Sequence, residues 1–134
     1  MTIKVVDPIT HPKKTNRKGA GKMILHDSPT FHAWIHGPDH PGEKGPMHKH
    51  TADQIFICVQ GEVTYNFPDQ PSATLRPGMM IIIPKGDFYQ IENKGSVETI
   101  LVGGRAEPGK KPRFSEKGAV VDETNIVEAG AKYL

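Results

Sequence analysis

The stretch GEKGPMHKHTADQIFICVQG, Gly42 to Gly61, and the stretch GMMIIIPKGDFYQIEN, Gly78 to Asn93, decide how this chain folds. Each joins a turn rich in Gly and Pro to a short run of apolar and β-branched residues, the pattern of strands at hairpin spacing. As spacings they read Gly42-x5-His48-x-His50-x3-Gln54-x6-Gly61 and Gly78-x5-Pro84-x-Gly86-x2-Tyr89-x3-Asn93. Outward from them, the same punctuation predicts strands near Ile3–Asp7, Lys22–Leu25, Thr30–His36, Met47–His50, Gln54–Gln60 and Glu62–Phe67. Four more follow, near Thr74–Leu75, Met79–Pro84, Phe88–Asn93 and Val97–Arg105, while Gly37–Pro46 reads as a loop. Strands at this spacing argue for an all-β sandwich or barrel rather than an α/β fold. After Gly109 the chain turns polar, with a short helix predicted near Asp122–Ala129. Such a tail either packs along a partner subunit or frays.

At 134 residues the chain has one-domain size, enough to bury roughly two-thirds of the surface exposed when unfolded. The single domain divides into an N-terminal arm with edge strands over residues 1–29, a core over 30–105 and a tail over 106–134. The 14 Gly and 12 Pro suit many turns better than long helices. No apolar run is long enough to cross a bilayer, and Met1–Thr10 lacks the apolar stretch of a secretory signal, so a cytoplasmic location is expected. Cys58 is the single cysteine, in keeping with a reducing compartment. The formal charge is +2, and Lys13, Lys14, Arg17, Lys18 and Lys22 form a basic cluster. It reads as a solvated arm, and with no aromatic residue among the charges it offers no stacking platform for nucleic acid. Neither a nucleic-acid nor a membrane partner is expected.

Alternation along a strand sends every second side chain to one face. His48 and His50 therefore point together, and two imidazoles at that spacing can bind one divalent ion. Gln54, Phe56 and Cys58 share a face, with Cys58 too deep for a ligand and read as core. His32, Trp34 and His36 also share a face. If it is interior, Trp34 forms an apolar wall and His36 can act as a general base; if exterior, the three line an interface or meet solvent. Trp34, Phe56 and the soft side chain of Met80 are candidates for a substrate pocket. Tyr65 and Arg105 are candidates for the cavity mouth, where Arg105 could hold a substrate carboxylate.

Taken together, the two spaced motifs resemble those of the cupin superfamily, in particular its small single-domain, cupin-2 type members. The resemblance implies a jelly-roll-like double-sheet β-barrel and one divalent metal ion held by two His, a Glu and a third His. Carried over by position, the ligands are His48 and His50, with Gln54 where Glu usually stands and Tyr89 where His usually stands. The amide oxygen of Gln54 can coordinate as a neutral, weaker ligand. Tyr89 can coordinate as phenolate, donate a hydrogen bond or pack. Fe, Zn, Mn, Ni and Cu all suit an imidazole-rich site.

The resemblance further implies a metal-dependent small-molecule enzyme acting on an anionic or chelating substrate. Its leading form is dioxygenase-type oxidoreductase chemistry on a diketone or aromatic acid. The alternatives are a zinc-type lyase, isomerase or cyclase in which Tyr89 or His36 moves a proton, and a non-catalytic ligand-binding protein with a weak or lost metal site. It also implies a homodimer.

Overall fold

Eleven short strands carry the fold in the computed structural model, which describes residues 3–10 and 21–121 and the backbone of Ile126–Glu128. They are β1 (Lys22–Asp27), β2 (His32–Asp39), β3 (Gln54–Gln60), β4 (Val63–Asn66), β5 (Ala73–Leu75) and β6 (Met80–Ile83), then β7 (Gln90–Glu92), β8 (Thr99–Arg105), β9 (Arg113–Phe114), β10 (Val120–Val121) and β11 (Ile126–Glu128). A six-stranded sheet runs β11-β1-β2-β8-β3-β6 and a three-stranded sheet runs β5-β4-β7. This is the expected all-β, double-sheet architecture. The sheets face each other as a sandwich and are not hydrogen-bonded into a closed ring.

Register explains where the core sits. Across β2, β8 and β3 the inward-facing residues line up in rungs: His32, Arg105 and Gln54, then Trp34, Gly103 and Phe56, then His36, Leu101 and Cys58. Trp34, Phe56, Cys58 and Leu101 pack with Val63, Tyr65, Leu75, Tyr89 and Ile91 of the smaller sheet and its approaches. Burying a side chain of this size contributes roughly 1.5–3 kcal/mol. The neighbouring positions point the other way, so Ile35 and Ile100 join Met23 in a second cluster on the outer face, with Val6, Leu25 and Val59 against it. Alternation thus builds two cores from one sheet.

Several expectations change. Residues 3–7 form no strand; Val6 lies on the outer cluster and the Lys4 Nζ donates to the Leu25 carbonyl at 3.1 Å. A strand there has no free edge, because β11 pairs in parallel with β1. The predicted loop Gly37–Pro46 begins late, since β2 runs on through a cis Gly37–Pro38 bond to Asp39. Met47–His50 makes only isolated bridges, His48 to Tyr89 and Lys49 to Phe114. The tail folds back on its own chain: β9 and β10 form a hairpin bridged to Lys49, and the described part of the predicted helix, Ile126–Glu128, is strand β11. Lys13, Lys14, Arg17 and Lys18 lie outside the described residues. Among those residues no helix is long and apolar enough to cross a membrane.

Candidate functional site

Backbone pairing delivers the two motif histidines to one place. The His48 and Tyr89 amides and carbonyls exchange hydrogen bonds at 2.9 and 3.0 Å, so the two side chains are cross-strand neighbours with ring centroids 4.5 Å apart. The Gly86 N–H donates to the His50 carbonyl at 2.9 Å from a turn in which Gly86 has φ +84°, a conformation that favours glycine. Asn93 closes the second motif: its Nδ2 donates to the Asp39 and Val97 carbonyls and its Oδ1 accepts from the Gly95 N–H. The Gly42 N–H donates to the Asn93 carbonyl, which ties the two motifs together.

The result is a cavity of about 180 Å³ lined by Trp34, His36, His48, His50, Phe56, Tyr89 and Arg105, with Lys22 and Arg113 also on its walls. None of its lining residues is Asp or Glu. The wall of the cavity is therefore basic and aromatic. β9 brings Arg113 there by pairing beside Lys49, and Lys22 stands opposite His36 in the β1–β2 register.

Within the cavity His48 and His50 are both buried, with ring centroids 4.9 Å apart. The His48 Nδ1 donates to the Pro46 carbonyl at 2.8 Å, which places the lone pair on Nε2. Burial first, then the charge of Arg105, hold His50 far below the usual imidazole range, so it is neutral. Its Nδ1 is enclosed with no hydrogen-bond partner among the described residues. Gln54 is buried but does not line the cavity; it sits behind Tyr89, whose hydroxyl donates to the Gln54 Oε1 at 3.3 Å.

These features fit a divalent cation. Two imidazoles at this spacing can share one ion, and the Nδ1 of His50 has no hydrogen-bond partner among the described residues. Tyr89 lines the same wall, and its hydroxyl donates to the Gln54 Oε1. Among the described residues no group of three or more His, Cys, Asp or Glu is placed to hold a metal ion.

His36 reaches the cavity from β2 and pairs through Nε2 with the Asp39 Oδ2 at 2.8 Å. Burial alone would lower His36; attraction and hydrogen bonding to Asp39 outweigh it and raise the imidazole above its ordinary value. Its face is thus interior, as is that of Trp34. Met80 is not part of the site. It is 55% exposed on β6, because Ile81 and Ile83 take the inward positions of that strand. Tyr65 lies in the core with its hydroxyl enclosed, and burial pushes its ionisation well above the ordinary phenol range. Cys58 is a buried free thiol raised by burial.

Arg105 acquires a definite place. It is 2% exposed, with its Nε 3.0 Å from the Glu107 Oε2, one Nη donating to the Gly109 carbonyl and its guanidinium 5.3 Å from the Trp34 ring centroid. Glu107 also accepts from the Thr51 hydroxyl. The sequence signal was the inward alternation Leu101, Gly103, Arg105; what it lacked was the register that sets Arg105 opposite Gln54.

Comparison with known proteins agrees with this frame. A cupin domain matches residues 39–103. The auxin-binding protein T92 of Nicotiana tabacum is 27% identical over 88 residues, 59% of this chain and 46% of that protein, so the chain spans under half of that relative's length. A Klebsiella pneumoniae protein with a double-stranded β-helix domain superposes with a TM-score of 0.67 at 17% identity, covering 85% of this chain and 96% of that one. The DMSP lyase DddQ from Ruegeria pomeroyi gives 0.60 at 18% identity, covering 68% and 45%.

Proposed function

The chain is a member of the cupin superfamily, and from that premise we propose that it binds and turns over a small anionic organic molecule in the cavity between Trp34 and His48. The observation that carries this reading is the lining itself: three histidines, two arginines and a lysine with no carboxylate among them. The fixed positive charges of Lys22, Arg105 and Arg113 attract an anionic ligand. A divalent cation would be held by His48, His50 and the Tyr89 oxygen. When bound it supplies a Lewis acid that polarises a chelating oxygen.

The residues of the chain supply the rest. Trp34 and Phe56 give the apolar walls, 5.5 Å apart in an edge-to-face pair. His36, oriented by Asp39, is placed to hold or pass a proton at its Nδ1. Tyr89 keeps its proton directed at Gln54. A proton-transfer reaction of lyase or isomerase type uses the His36–Asp39 pair directly, whereas dioxygenase chemistry has no evident need of it. The pair therefore favours the non-redox reading over the dioxygenase one. Relatives on this frame include a lyase and a binding protein, which supports small-molecule recognition in either mode.

The test combines metal content with ligand titration. Protein purified without added metal should carry one divalent ion per chain by plasma emission, and His48→Ala should lose it. Small carboxylates should perturb the fluorescence of Trp34, the single tryptophan of the chain. No ion retained or taken up on reloading, together with an unresponsive Trp34, overturns the proposal.

A further inference from the structure

We infer that Arg105 is the residue that selects the ligand of this cavity, and that the ligand is a flat, benzene-sized carboxylic acid whose carboxylate accepts hydrogen bonds from its guanidinium. The inference rests on the anion-binding reading above and narrows it. Arg105 is enclosed, and its charge is set in place by Glu107 on one side and the Gly109 carbonyl on another, while its remaining edge lines the cavity. A guanidinium fixed in this way has already lost its rotamer freedom, so a carboxylate gains a charge-assisted contact without ordering the side chain.

Shape gives the remainder. The Arg105 guanidinium lies 5.3 Å and the Lys22 Nζ 4.7 Å from the Trp34 ring centroid, and Trp34, Phe56 and Ile91 line the cavity with them. A volume of about 180 Å³ compares with the roughly 150 Å³ cavity that accepts benzene. A planar ring against Trp34 with its carboxylate at Arg105 fills both requirements. A ligand gripped at the His48–His50 end alone would make no use of this buried guanidinium.

The experiment titrates the whole protein with benzoate and with benzamide, its neutral isostere, reading Trp34 fluorescence and checking by calorimetry. Wild type should prefer benzoate. The double variant Arg105→Met/Glu107→Gln, which removes both buried charges together and so avoids stranding one, should weaken benzoate about thirtyfold and leave benzamide within about twofold. Arg105→Lys should fall between, since a point charge lacks the planar fork. If the double variant folds and keeps the benzoate preference, the assignment to Arg105 is overturned while the anion cavity stands, and His48→Ala then tests the other end. If wild type shows no preference for benzoate, the anion reading fails and this inference with it.

Discussion

Two adjacent rungs of the same sheet face are held together in opposite ways. His32, Arg105 and Gln54 form a polar rung whose central charge is answered by Glu107 and whose amide is answered by Tyr89. One step along the strands, Trp34, Gly103 and Phe56 form an aromatic rung with no ionisable group, held mainly by ring packing. The first rung spends stability on placed charge and the second supplies it through packing. Function concentrates where the sheet carries the costlier residues, and the aromatic rung gives that charge a rigid, apolar backing.

The contrast breaks most severely at Glu107. Glu107→Gln leaves the Arg105 guanidinium buried without its counter-charge, which should cost about 3 kcal/mol in urea unfolding. Arg105→Met/Glu107→Gln should recover much of that loss, because an apolar replacement for a buried ion pair is often neutral. A single variant as stable as wild type would show that Glu107 does not neutralise Arg105.

The aromatic rung breaks by volume instead. A Cβ on Gly103 would lie 2.5 Å from the Trp34 Cε2 and 3.0 Å from the Phe56 Cε1, so Gly103→Ala must displace rigid rings. Overpacking of this kind costs roughly 1–3 kcal/mol, and the Trp34 emission should shift with it. Gly104, its neighbour, faces outward, where an added Cβ meets the Ile55 Cγ2 at 3.4 Å. Gly104→Ala should stay within about 1 kcal/mol of wild type. Equal effects at the two positions would contradict the assigned faces.

The same contrast explains what the sequence revealed. Strand β3, the motif turns, the core role of Cys58 and the convergence of His48 with His50 follow from alternation and from Gly and Pro, which are local signals. Arg105, Glu107, Lys22 and Arg113 were not legible as a set. Their meeting depends on the β3–β8 and β1–β2 registers and on β9 docking beside Lys49, pairings between residues far apart in the chain. Met80 illustrates the converse. An apolar run as uniform as Met79–Ile83 gives no hint of which alternate residues face inward, and the side chain expected in the pocket lies outside.

The smallest effect sharpens the comparison at the third rung, where His36 faces the cavity and pairs with Asp39. Because Asp39 raises His36 above the unfolded imidazole value, the native state binds its proton more tightly than the unfolded chain does. The stability contributed by the pair is therefore complete below about pH 6.5 and is lost as pH rises through the folded-state value. Wild type should exceed Asp39→Asn by about 1 kcal/mol near pH 6, with the gap closing in urea melts as the pH rises through the folded-state value. His36→Asn should close it at every pH. A gap that stays constant across the range would mean that the Asp39 side chain acts without pairing to a protonated His36, and that His36 enters the cavity without a raised proton affinity.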